Sequence, residues 1–180
     1  MVVLTIGGPP GSGTTTVCKI LEERRGVKYV YAGALFRRTA ERKGLTLAQF
    51  GKLCEDDPMW DQSLDREMVE IARGGNVILE GRMTGPMCKM EDIESLNVYI
   101  DADAEVRARR VMERDGGDLR KVMKTMEERE ESEALRYKNI YNVDPRDSSW
   151  YDLMIDSSNS TPEEVADRIM MAAVEMGDTI

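Results

Sequence analysis

The segment Val2 to Gly13 restricts this chain more than any other. The β-branched run Val2–Ile6 passes into GGPPGSG, and TTTVCKILEERRG then sets Val17, Ile20 and Leu21 at helical spacing before Gly26. This reads as strand, glycine-rich loop and helix. Gly8-Pro9-Pro10-Gly11-Ser12-Gly13-Thr14-Thr15 follows the phosphate-loop spacing G-x-x-x-x-G-K-[S/T] except at position 14, where threonine stands for lysine. Glycines allow successive N–H groups to turn toward one phosphate, and the positive end of the following helix adds to the field. Thr15 falls where a hydroxyl would ligate Mg²⁺. A bare G-x-x-x-x-G can equally be a chain-reversing turn, but here it follows a strand and opens a helix, as the mechanism requires. The missing lysine removes a positive charge near the β/γ-phosphates, and arginines from elsewhere are the candidates to supply it.

Further short apolar runs at Val27–Val30, Asn76–Leu79, Leu96–Ile100 and Tyr151–Ile155 alternate with helical segments. The pattern predicts one α/β domain, a parallel sheet with helices on both faces. Between the second and third strands lie AGALFRRTAERKG, TLAQFGKLCEDD and a third helical stretch to Arg73, with Thr46 and Gln49 spaced as a capping box. A helical insertion is expected there. Ala104–Arg114 and Leu119–Tyr141 read as two helices broken at Gly116-Gly117, and Thr161-Pro162-Glu163-Glu164 caps a last helix to about Met176.

Composition narrows the chemistry. With 25 basic and 34 acidic residues the 180-residue chain carries a formal charge of −9, which argues against nucleic acid as a partner. No apolar run approaches the roughly 20 residues of a membrane-spanning helix. The chain has no histidine, which excludes Ser-His and Cys-His pairs and His-ligated zinc. Cys18, Cys54 and Cys88 show neither a CxxC spacing nor a disulfide framework, so a reducing, cytoplasmic setting is expected. The start MVVLTIGG has no basic leader or cleavage site of a signal peptide.

Arginines supply the remaining signal. Arg107, Arg110 and Arg114 share one helix face, and Arg129 and Arg136 share a face of the next helix. Singly, such groups are mostly solvated or paired with glutamates such as Glu105, Glu113 or Glu133. Two such faces around a Gly-Gly break suggest a lid that clamps a phosphoryl group. Arg37 and Arg82 fall at the carboxyl edge of the sheet, where ligands bind. Glu80 shares that edge, with two roles open: water around Mg²⁺, or orientation of Arg82.

Six motifs together resemble the P-loop nucleoside monophosphate kinases, and within them the archaeal cytidylate kinases, over nearly the whole chain. GGPPGSGTTT is similar to their ATP loop, which implies ATP contacts at Gly8 through Thr16: Gly8, Pro9, Pro10, Gly11, Ser12, Gly13, Thr14, Thr15 and Thr16. YAGALFR, with Gly33 and Arg37, resembles the start of their monophosphate-binding region, and LEGRMTG, with Gly81 and Arg82, the end of a strand. DADAEVRARR resembles the approach to their lid, EEREESEALRYKNIYNVD its return, and WYDLMIDSS their last strand. The resemblance implies a five-stranded parallel sheet, a monophosphate-binding insertion at about 31–74 and a mobile lid at about 105–146. It also implies a core of 1–30, 75–104 and 147–180. By position, Arg37 and Arg82 would hold the acceptor nucleotide, and Arg110, Arg129 and Arg136 would surround the transferred group. The implied reaction is ATP plus CMP or dCMP to ADP plus CDP or dCDP, with Mg²⁺, in a monomer. Ala32 stands before Gly33 where bacterial relatives carry serine, and Thr14 departs from lysine. A kinase of another monophosphate or small metabolite, and a non-catalytic nucleotide-binding regulator, are the alternatives.

Overall fold

The computed structural model describes residues 3–177. Its elements run β1 (Val3–Gly7), α1 (Thr14–Arg25), β2 (Lys28–Tyr31), α2 (Ala32–Arg42), α3 (Leu47–Asp56), α4 (Met59–Arg73), β3 (Val77–Glu80) and α5 (Thr84–Met90). Then follow β4 (Ser95–Asp101), α6 (Ala104–Asp115), α7 (Leu119–Tyr141), a 3-10 turn at Ser148–Trp150, β5 (Leu153–Asp156) and α8 (Pro162–Glu175). The strands form one parallel sheet in the order β2-β3-β1-β4-β5. The fold class read from the sequence is the one observed. Val2, the first residue of the expected opening strand, lies outside the described residues.

Alternation along β1 explains the two layers. Leu4 and Ile6 face one way and pack with Val98, Ile100, Val17, Leu21, Val165 and Ile169 under α1 and α8. Val3 faces the other way, with Leu79, Met68, Ala72 and Cys88 under α4 and α5. β1 is central and buried throughout, whereas the edge strands β2 and β5 are only partly covered. Buried Thr5 donates to Asn97 Oδ1 at 2.7 Å, and Ser95 donates to the same oxygen at 3.0 Å, so these three polar residues of the sheet satisfy one another.

Local signals set several element ends. Gly26, in the left-handed region at φ 62°, closes α1. Thr46 with Gln49 and Thr161 with Glu164 form complete capping boxes at α3 and α8. The last strand begins later than the apolar run suggests. The Tyr151 N–H is taken by Ser148 O in the 3-10 turn, and its ring packs on Tyr99 while its hydroxyl donates to Pro145 O. Helices α2 to α4 carry an apolar cluster of their own, Ala40, Phe50 and Cys54 with Phe36 and Trp60. All three cysteines are buried and unpaired.

Candidate active site

β1 lies between β3 on one side and β4 on the other, so the sheet changes direction of winding at its carboxyl end. The glycine-rich loop leaves the sheet at that point. Gly11 has φ 81°, and a Cβ there would lie 2.4 Å from the carbonyl oxygen of Arg107; no other residue fits. Gly13 at φ 96° starts α1, and no side chain caps the helix. Its first N–H groups and positive terminus are therefore left to a ligand. Ser12 Oγ is buried in the loop without a hydrogen-bond partner.

Two cavities flank the loop. One is lined by Gly8, Pro9, Pro10, Gly11, Thr14 and Thr15 together with Tyr31, Glu80 and Gly81, and four arginines enter it: Arg37, Arg82, Arg114 and Arg129. Arg37 lies over the Tyr31 ring, 4.9 Å from its centre. Gly33 has no Cβ to collide with that ring, which would stand at 2.6 Å. The other cavity, about 440 Å³, runs along Gly11 to Val17, Arg110, Val111, Arg114, Ser157, Ser160, Pro162 and Val165. Thr16 lines this second space.

The arginines of α6 grip the loop by its carbonyls. Arg107 Nη1 donates to Pro10 O at 3.2 Å and to Glu130 at 2.6 Å. Arg110 donates to Ser157 O at 2.7 Å and to Gly11 O at 3.4 Å, and Ser157 Oγ donates to Ser12 O at 2.8 Å. Arg114, the third of the spacing, pairs with Asp115. Glu133 gathers two more guanidinium groups, accepting from Arg129 Nε at 2.8 Å and pairing with Arg82. Burial alone would raise the Glu133 carboxyl, but Arg82 and Arg129 overcome it and hold it below the usual carboxylate range.

Glu80 ends β3 with both oxygens engaged. Oε1 accepts from Thr14 Oγ1 at 2.7 Å and from Thr15 Oγ1 at 2.8 Å, and Oε2 accepts from Tyr29. The expectation that Glu80 could orient Arg82 is corrected by this arrangement, because Arg82 turns to Glu133. A second correction concerns Arg136. Its guanidinium is only 4% exposed, pairs with Asp61 of α4 at 2.6 Å and lines neither loop cavity. The seven-residue spacing put Arg129 and Arg136 on one helix face, but the face is long enough for its two ends to meet different neighbours.

Tyr29 and Ser157 are site residues that the sequence reading does not contain, while Arg107 and Arg114 stand there only as members of the arginine face and Glu133 only as a partner for arginine. Arg107 and Arg114 were legible as the i and i+7 members around Arg110, and Glu133 as the i+4 partner of Arg129. Tyr29 and Ser157 carry no local signal, since their partners are 51 and 145 residues away.

A cytidylate kinase-like family model matches residues 3–159. The cytidylate kinase of Methanopyrus kandleri is 45% identical over 97% of this chain and 93% of its own. That of Methanococcoides burtonii is 45% identical over 95% and 96%, and that of Pyrococcus horikoshii 41% over 99% and 91%. Among solved structures, a protein of Eubacterium ventriosum superposes with a TM-score of 0.72 at 18% identity, covering 96% of this chain and 98% of its own. A shikimate kinase from Acinetobacter baumannii gives 0.64 at 14%, covering 97% and 94%; both likenesses speak for the fold. With a phosphate loop, a sheet of this order and relatives matched from end to end, the chain belongs to the cytidylate kinase-like family and is an enzyme, a nucleoside monophosphate kinase.

Proposed function

We propose that the enzyme transfers the γ-phosphoryl group of ATP to CMP and dCMP, giving ADP with CDP or dCDP. The observation that carries this is the convergence of Arg37, Arg82, Arg114 and Arg129 on a cavity walled by the phosphate loop. Glu133 and Asp115 pair with three of these guanidinium groups and Glu80 lines the same space, yet four cations against three carboxylates leave it net positive, which favours a strongly anionic ligand such as two phosphate-bearing substrates meeting at the loop. The cavity along Thr16, Val111, Pro162 and Val165 suits the nucleoside half of ATP, with its phosphates leading to the N-terminus of α1.

The acceptor is a phosphate oxygen, largely deprotonated at neutral pH, so no strong base is required. Work falls to positioning and charge neutralisation, for which a chain without histidine is equipped. Arg37 and Arg82 hold the acceptor phosphate. Arg110 fixes the loop from the ATP side, and Arg129 faces the phosphoryl group in transit. Arg136 acts at a distance, holding α7 to α4. Residues 31–74 form the acceptor-binding insertion and 105–146 the lid, whose closure excludes water.

The residues also suit Mg²⁺ carried by the nucleotide. That ion keeps few protein ligands and takes most of its oxygens from phosphates and water. Thr15 offers a hydroxyl whose proton is already given to Glu80, leaving its lone pairs for a cation. When bound, the ion neutralises charge on the β/γ-phosphates. A coupled assay across CMP, dCMP, AMP and UMP tests the reading. CMP should lead by kcat/KM, since each unmade hydrogen bond to a wrong base costs about 1–3 kcal/mol. Equal kcat/KM for CMP and AMP overturns it.

A further inference from the structure

Tyr29 has no part in the scheme above, yet its hydroxyl ends in the middle of it. It stands on β2 opposite Ile78, and its backbone N–H is tied to Glu22 of α1 at 3.1 Å, so the residue is fixed from two elements. Its hydroxyl donates to Glu80 Oε2. Glu80 is 4% exposed, and its other oxygen accepts both Thr14 and Thr15 hydroxyl protons. Three hydroxyls from the edge strand and the phosphate loop therefore converge on one buried carboxylate.

We propose that Tyr29 is a positioning residue for phosphoryl transfer, holding Glu80 in the one orientation that draws the Thr15 proton away from the metal-facing side of its oxygen. The proposal rests on the reading of the loop as the site of Mg²⁺-bearing ATP. A hydroxyl has one proton and two lone pairs. When the proton goes to Glu80, the lone pairs face outward and the oxygen is a better donor to a cation, the effect that outer hydrogen bonds have on metal ligands. Without Tyr29, Glu80 Oε2 is buried with no hydrogen bond from that side, and the carboxylate is free to turn away from the threonines to recover one. The Thr15 hydroxyl then loses its fixed acceptor, and its proton can swing to the side where the cation would sit. Burial, and then the bond to Glu80, push the Tyr29 phenol well above its ordinary range, so it stays a donor.

The test is a Tyr29→Phe substitution, which removes the hydroxyl and keeps the ring. ATP affinity is measured by calorimetry in EDTA and again at saturating free Mg²⁺, for the wild type, Tyr29→Phe, Glu80→Gln, the double variant and Thr15→Ala. The expected result is an EDTA affinity for Tyr29→Phe within about twofold of wild type and a loss of about tenfold in the tightening that Mg²⁺ gives. Glu80→Gln should lose at least as much, and the double variant no more than Glu80→Gln alone. Unchanged Mg²⁺ tightening in Tyr29→Phe overturns the role of Tyr29 while Thr15→Ala still loses it. Equal weakening with and without Mg²⁺ also overturns it, since that is general damage to the loop. If Thr15→Ala keeps the full Mg²⁺ effect, the metal reading of the loop fails first and the role of Tyr29 with it.

Discussion

The Arg136 guanidinium donates to Asp61 Oδ2 at 2.6 Å, joining α7 to α4 through an ion pair 4% and 5% exposed on its two sides. Arg136 also donates to Ser132, which in turn donates to Glu55 of α3 at 2.7 Å. Tyr141 further along α7 donates to Asp65 at 2.9 Å. The long helix is thus bonded along its length to the helices between β2 and β3.

Arg136→Ala should lower stability by about 3–5 kcal/mol, because it leaves the Asp61 carboxylate buried without its partner. Replacing both residues together, as Arg136→Met with Asp61→Leu, should recover most of the loss. Denaturant unfolding of the three proteins checks this; a double variant no more stable than Arg136→Ala contradicts it.

Under the proposed role of Arg129, Arg129→Ala should reduce kcat far more than it weakens ground-state ATP binding, since a charge that meets the phosphoryl group in transit matters most in the transition state. Arg129→Lys should restore little, because an ammonium cannot present the planar fork. Steady-state kinetics with a separate binding measurement decide the matter. A variant that changes KM alone would make Arg129 a binding group.

Thr14→Lys should fail to improve the enzyme. The Thr14 hydroxyl is bonded to Glu80, and an ammonium at this position would pair with that carboxylate and compete with Thr15 for it. Arginines already furnish the positive charge beside the loop. A gain in kcat of about tenfold or more, roughly 1.4 kcal/mol of barrier, would show instead that the loop is impaired by its missing lysine.

Asp65 gives a pH signature. Burial pushes its carboxyl up to about 7, with the Tyr141 hydroxyl working against the rise. A folded-state value above the unfolded one of about 3.9 means that the folded chain holds this proton more tightly. Its contribution to stability is complete below about pH 4 and is lost as pH rises through about 7. Melting temperatures of wild type and Asp65→Asn should therefore diverge across that window, with wild type losing ground. Parallel profiles would show an Asp65 that is ionised throughout.

The features legible along the chain are local ones. The phosphate loop, the five apolar strands, the capping boxes at Thr46 and Thr161 and the break at Gly116-Gly117 each depend on neighbours within a few residues, where backbone preference and hydrophobic period act directly. Thr14 was legible as an exception for the same reason. Which distant carboxylate an arginine meets depended on the folded chain. Periodicity places Arg129 and Arg136 on one face and gives Arg129 its i+4 partner Glu133, but only the packing of α7 against α4 sends Arg136 to Asp61, and only the fold brings Arg82 to Glu133. Tyr29 meets Glu80 only because β2 pairs with β3, which puts Tyr29 two residues short of Tyr31, the position beside Glu80, and on the same face of the sheet. A hydroxyl or guanidinium with several rotamers takes the partner that folding brings within reach, and no spacing along the chain encodes that distance.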